Sequence, residues 1–204
     1  MVPDGASVTV LHNLTVAAGA MFDAATHSNV NVGGNVKAGP GSFFALGCTP
    51  AHPCDGDESE DAPTNDTVGG NVILNHVFDA AINGDTIGGN LTVAGGGPGY
   101  SLDPWIPFSI KDNVVKGNLV VSGLRTSWFG VIRTSVGGNV ILTDVQAADP
   151  DGNEVVADTI GGNLICQGNS PKPHLGDAVE GAPPGYGPSS VGGRAIGQCA
   201  TVTS

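Results

Sequence analysis

Asp158-Thr159-Ile160-Gly161-Gly162-Asn163-Leu164-Ile165-Cys166 is one copy of a unit that recurs down the whole chain. Aligned on the asparagine, the other copies are Val10-Leu11-His12-Asn13, Val32-Gly33-Gly34-Asn35, Val68-Gly69-Gly70-Asn71, Ile87-Gly88-Gly89-Asn90, Val115-Lys116-Gly117-Asn118, Val136-Gly137-Gly138-Asn139 and an altered Val191-Gly192-Gly193-Arg194. From Asn13 to Asn163 the steps are 22, 36, 19, 28, 21 and 24 residues, a mean of 25. A period of that size marks a solenoid, in which a single unit cannot bury its apolar face and its stacked neighbours complete the core.

Three residues before each marker stands a β-branched side chain, from Val10 to Val191 without exception. Such residues suit a pleated strand better than a helix. The positions one and three after the marker are also apolar, as in Leu91 and Val93 or Leu119 and Val121. Period two is strand geometry. One such strand per winding predicts an all-β, single-stranded parallel β-helix of about eight coils, hydrogen-bonded from coil to coil around columns of like residues. The 19-residue step from Asn71 to Asn90 is the minimal coil, three faces of about six residues.

The glycine pair suggests a corner that needs positive φ or a close approach between coils. If it is a corner, Asn35, Asn71, Asn90, Asn118, Asn139 and Asn163 stack as an amide ladder. If the strand runs straight through, parity turns the same amides outward as a ligand-contacting row. The ladder is the expected arrangement.

The chain reads as one solenoid domain of 204 residues. Residues 1–38 supply the N-terminal coils, 39–65 an acidic insertion, 66–166 the central coils and 167–204 a C-terminal cap. Its 33 glycines fall in register with the repeat, which argues for order. Seven Lys and Arg against 19 Asp and Glu give a formal charge of −12, which opposes nucleic acid, anionic membranes and polyuronate chains. No apolar run reaches the ~18 residues of a membrane-spanning helix. Met1-Val2-Pro3 is expected to be a start placed on a mature secreted sequence rather than a leader.

Four cysteines allow three pairings, of which the sequential one, Cys48 with Cys54 and Cys166 with Cys199, is expected. Disulfides at such positions imply an oxidising compartment, so the protein is expected to be secreted or displayed on the cell surface. A metal site is the weaker reading of the cysteines, since there is no Cys-x-x-Cys. His12 stands where later coils have glycine and reads as a cap residue; His76 reads as a wall residue.

In the insertion, Phe43 and Phe44 are expected to pack over one side of the solenoid. The run from Asp55 to Asp61 holds five acids in seven residues. It is expected to be a solvated loop, with Asp55, Asp57 and Glu58 as candidate Ca²⁺ ligands; no other cofactor is implied. Asp149-Pro150-Asp151-Gly152-Asn153-Glu154 shows part of a calcium-loop pattern and reads as a plain turn.

Five of the ten aromatics, Tyr100, Trp105, Phe108, Trp128 and Phe129, lie in two segments on adjacent coils. They are a candidate patch for a sugar ring or a partner protein, against the alternative that they fold loops onto the wall. The outward position two after the marker reads Thr15, Lys37, Ile73, Thr92, Val120, Ile141 and Ile165. This partly apolar stripe implies a cover: the chain's own insertions, a sister subunit or an external surface. Two threonines in that column are too few for an ice-binding array. Asp66, Asp85 and Asp158 each precede a threonine and read as turn residues bonding local backbone. The remaining hydrolase or lyase set is Asp103, Asp144 and Asp149 with Arg125 and Arg133, and an enzyme is not the expected outcome.

The repeated Ile-Gly-Gly-Asn-Leu units and the ending from Asp158 through Cys166 to Cys199 resemble a group of uncharacterised secreted actinobacterial β-helix proteins. In architecture alone the chain is also similar to bactofilins, whose β-helical cores polymerise end to end in the cytoplasm; the cysteines here depart from that pattern. The resemblance implies export and a β-helix and carries no catalytic residues. The functional expectation is a secreted or surface structural and interaction solenoid that associates with itself or with a protein partner. The alternative is a carbohydrate-binding or carbohydrate-cleaving β-helix that uses the aromatic patch.

Overall fold

The computed structural model describes residues 1–49, 54, 63–99, 108–176 and 187–200. Among these, every regular element is a β-strand and every pairing between strands is parallel. Three sheets run the length of the rod. The first takes eight strands from Ser7–Val10 to Ser190–Val191, and the second eight from Leu14–Val16 to Ala195–Gly197. The third takes six strands from Met21–Ala24 to Asn153–Val156, and a short pair, Arg125–Thr126 with Gln146–Ala147, stands beside them. Eight strands at a spacing of about 4.8 Å make a rod about 34 Å long. The parallel β-helix expected from the repeat is the fold.

The predicted columns are in register. Val68 pairs with Ile87, then Val115, Val136 and Ile160, all fully buried, and in the second sheet Val72, Leu91, Leu119, Val140 and Leu164 do the same. The third sheet supplies two more interior columns. One runs through Phe22, Phe44, Ala80, Phe108, Phe129 and Asn153, and the other through Ala24, Leu46, Ile82, Ile110, Val131 and Val155. Phe22 stacks on Phe44 at 5.5 Å. The columns keep their register across the insertions, Leu46 pairing with Ile82 and Ile82 with Ile110.

The chain turns at two columns of left-handed residues. One lies six before the marker, at Asn65, Gly84, Asp112, Arg133 and Ala157; the other lies five after it, at His76, Gly95, Gly123, Asp144 and Gly168. The glycine pairs bend the chain without positive φ. Their need is close approach: a Cβ on Gly89 would lie 2.5 Å from Asn71 Oδ1 and 2.9 Å from the Gly70 carbonyl. His12 escapes this clash because its coil stands at the edge of the stacked sheets.

Both expected disulfides are present, Cys48–Cys54 and Cys166–Cys199, and the second ties the last full coil to the cap. Phe44 lies in the core, so only Phe43 packs outside, against Ala25, Ala45 and Ala81. This corrects the expectation that both phenylalanines cover the wall: strand alternation sends neighbours to opposite sides.

Asparagines stack as the predicted ladder. Each Oδ1 accepts the backbone N–H of the next coil's marker at 2.8–2.9 Å, from Asn13 to Asn163, and from Asn13 to Asn139 also that marker's amide Nδ2 at 3.0–3.2 Å. Arg194 closes the ladder by donating its N–H to Asn163, and that top rung needs no side-chain acceptor. Asn118→Ala leaves the Asn139 N–H and amide without their acceptor. It should cost about 1–2 kcal/mol in urea unfolding, and Asn118→Asp, which keeps an acceptor, should lose less; equal losses would show that the ladder is incidental.

Candidate functional site

A second ladder runs five residues before the marker, and its polarity is reversed: here the side chain accepts the N–H of the preceding coil. Val30 N donates to Asp66 Oδ1 at 2.7 Å, Asp85 N to Asn113 Oδ1 at 2.9 Å, Thr134 N to Asp158 Oδ1 at 2.8 Å and Asp158 N to Ser189 Oγ at 3.0 Å. Asp66 and Asp158 therefore bond across coils, which corrects their reading as residues that bond local backbone. The column was present in the sequence as an unbroken run of acceptors, Asp66, Asp85, Asn113, Thr134, Asp158 and Ser189, and went unread because four residue types share one chemistry.

Burial dominates the electrostatics of these acids. It raises Asp66 to about 6 against the N–H bond from Val30, and raises Asp79, in the third sheet, to about 7 against the N–H bond from Ala80. Asp85 is raised first by burial and then by the charge of Asp66. Its carboxyl accepts no hydrogen bond of good geometry; the N–H groups of Asn83 and Asp66 offset only part of the desolvation. Burial also raises Asp158 against its bonds to Thr134 and Ser189. All four lie buried in the wall.

Charged residues once grouped as a hydrolase or lyase set separate into local pairs. Arg125 binds Asp144 at 2.9 Å, and Arg133 grips Asp112 at 2.6 and 2.7 Å, while Asp149 accepts the N–H of Asp151 in its own turn. Asp103 lies outside the described residues. Asn153 points inward and donates to the Pro171 carbonyl at 2.7 Å, so the 149–154 turn lacks one of its candidate calcium oxygens. Among the described residues no three His, Cys, Asp or Glu side chains gather as metal ligands. Asp55, Asp57 and Glu58 lie outside the described residues.

Two of the five candidate patch aromatics face the interior. Phe108 and Phe129 are fully buried interior residues, 6.3 Å apart, and cannot meet a ligand. Trp128 is half-buried on the outside, laid over Gly130, with Lys111 Nζ 5.0 Å from its ring. Tyr100 and Trp105 lie outside the described residues. Parity decides the correction: Phe129 and Val131 alternate inward with the Phe108 and Ile110 pair, and sequence proximity to a tryptophan says nothing about side.

Two outer surfaces remain. On the second sheet, Ile73, Val120, Ile141 and Ile165 form the half-buried aliphatic stripe expected from the repeat, extended by exposed Ile196. Across its eight strands the only formally charged residue is Lys37. On the first sheet, the outward column four before the marker is Thr9, Asn31, Thr67, Thr86, Val114, Ser135, Thr159 and Ser190. Beside it in the first four coils lies a groove of about 460 Å³ along Gly33, Gly69 and Gly88. Leu11 and Lys116 occupy that glycine column at its two ends. No protein-family model matches the chain, and no curated protein or solved structure shows significant similarity to it.

Proposed function

We propose that the protein is an extracellular structural and interaction module that pairs with a second copy of itself through the outer face of the second sheet. The carrying observation is the Ile73, Val120, Ile141 and Ile165 stripe on a face without carboxylates, in a chain whose formal charge is −12. Two such molecules repel wherever acids face each other, and this surface is where apolar contact meets no acid. The face is about 34 Å by 13 Å, so a pair buries roughly 450 Å² on each partner. That sits at the weak end of specific interfaces and points to micromolar, concentration-dependent association. The two disulfides and the lack, among the described residues, of any helix long and apolar enough to cross a membrane are compatible with an extracellular setting.

Sedimentation equilibrium tests the reading directly. Mass should rise toward twice that of the chain as concentration passes through the micromolar range, and Ile141→Asp, at the centre of the face, should hold it at one chain. A monomer at every concentration, or an Ile141→Asp variant that still pairs, ends the proposal.

A further inference from the structure

The geometry of the first sheet points to a second site, on a different face from the pairing surface and independent of it: we infer that the groove beside the hydroxyl column binds a short stretch of a neutral, linear polysaccharide. Its first observation is chemical. The wall residues Thr9, Asn31, Thr67 and Thr86 offer uncharged hydroxyl and amide groups at successive steps of about 4.8 Å, three steps or about 14 Å in all. Thr67 Oγ1 donates to Asn31 Oδ1 at 2.6 Å, so its lone pairs face outward as acceptors, and the hydroxyls of Thr9 and Thr86 have no hydrogen-bond partner among the described residues. Each threonine also presents a methyl group, which gives the wall the mixed character that meets the C–H and O–H edges of a sugar.

A second observation concerns what the groove withholds. The floor N–H groups are spent between coils: Gly33 donates to Val10 O, Gly69 to Val32 O and Gly88 to Val68 O. An extended peptide therefore finds no free backbone edge to pair with, and strand addition is closed along this face. The groove is lined by no carboxylate, while the rest of the chain repels polyanions, so a chain of uncharged units is favoured over a polyuronate. The third observation is shape. Leu11 and Lys116 stand at the ends of an open-sided trough, whose floor is bare because a Cβ on Gly69 or Gly88 would lie 2.6 or 2.4 Å from the carbonyl oxygen of the coil beneath. A trough fits a chain lying along the rod, whereas an ice surface calls for a plane.

The probes are cellohexaose, laminarihexaose and maltohexaose, titrated to millimolar concentration against the ¹⁵N-labelled protein, with hexagalacturonate as the anionic comparator. At least one neutral hexamer should shift amide signals of the first four coils, and the comparator should not. Thr67→Val with Thr86→Val keeps both strand residues β-branched and should weaken binding about five-fold or more, the scale of lost hydrogen bonds. Ser135→Val with Thr159→Val changes the same column beyond Lys116 and should leave binding unchanged. The inference is overturned if no neutral hexamer binds, if both double variants weaken binding equally, or if only inhibition of ice recrystallisation responds to the first. The last result would assign the column to ordered water.

Discussion

Gly89→Val is expected to destabilise the protein by on the order of 4 kcal/mol or more, a loss reserved for changes that break a structural rule. The new Cβ would meet Asn71 Oδ1 at 2.5 Å, Asn71 Cγ at 3.0 Å and the Gly70 carbonyl at 2.9 Å. It therefore attacks the ladder amide and the backbone of the same neighbour, neither of which can swing away without releasing the Asn90 N–H that Asn71 holds. The adjacent glycine column is more forgiving, because Lys116 already occupies it in the fifth coil. Gly88→Ala should cost about 1–3 kcal/mol, the overpacking of its Cβ against the Gly69 carbonyl. Gly19, at φ 68° with nothing within 4 Å of an added Cβ, should lose only about 1 kcal/mol on replacement by alanine, the left-handed penalty alone. Urea unfolding followed by circular dichroism ranks the three. An order other than Gly89→Val, Gly88→Ala, Gly19→Ala would mean that coil-to-coil spacing does not limit stability.

Acidification from pH 8 to about pH 4.5 should stabilise the protein, by on the order of 3 kcal/mol. Asp66 and Asp79 titrate at about 6 and about 7 in the folded chain against 3.8 as the ordinary value, so the folded state holds their protons more tightly than the unfolded one. Their contribution is complete below about pH 4 and is lost as pH rises through 6 and then 7. Asp85 and Asp158, also raised, act in the same direction. At 1.36 kcal/mol per unit the first two alone set a ceiling of about 7 kcal/mol, which local hydration of the ionised carboxylates cuts roughly in half. Asp144 runs the other way: hydrogen bonds from Arg125 and then Gln146 hold its pKa down, so its share is lost at the acid end and the optimum falls between the two. Denaturant unfolding across this range tests the sign. Asp79→Asn should raise stability at pH 8 and flatten the slope between pH 5 and pH 8; stability that climbs steadily from pH 5 to pH 8 contradicts the account.

The repeat exposed whatever obeyed a single residue type. The β-branched column from Val10 to Val191, the apolar pairs such as Leu91 and Val93, and the Asn13-to-Asn163 ladder each identify themselves by identity at a fixed offset. Both cysteine pairings followed from position. The corners were hidden because their left-handed residues, Asn65, Asp112, Arg133 and Ala157 on one edge, include only one glycine, Gly84; the neighbouring coils impose the conformation that the side chains do not advertise. The third sheet was hidden for a related reason. It lacks a marker, so Phe108 and Phe129 were grouped by nearness in sequence when parity put them inside. The hydroxyl column is masked by mixed residue types, Asn31, Val114 and two serines among its threonines, while Thr15 and Thr92 stand on a different face at the same spacing. The two ladders also account for the irregular ends. Val30 carries no side-chain acceptor of its own but donates its N–H to Asp66, and Arg194 needs none where the asparagine ladder stops.

The winding from Asn71 to Asn90 spends its 19 residues on nothing but three walls and their bends. Because it touches only the turns above and below, and matches both in register, it is an interchangeable segment. Duplicating it would lengthen the shaft by about 4.8 Å per copy without disturbing either terminus. The molecule is thus a ruler whose length is set by counting, and a natural lineage or an engineer could tune the separation of whatever its two ends hold by adding or deleting whole windings.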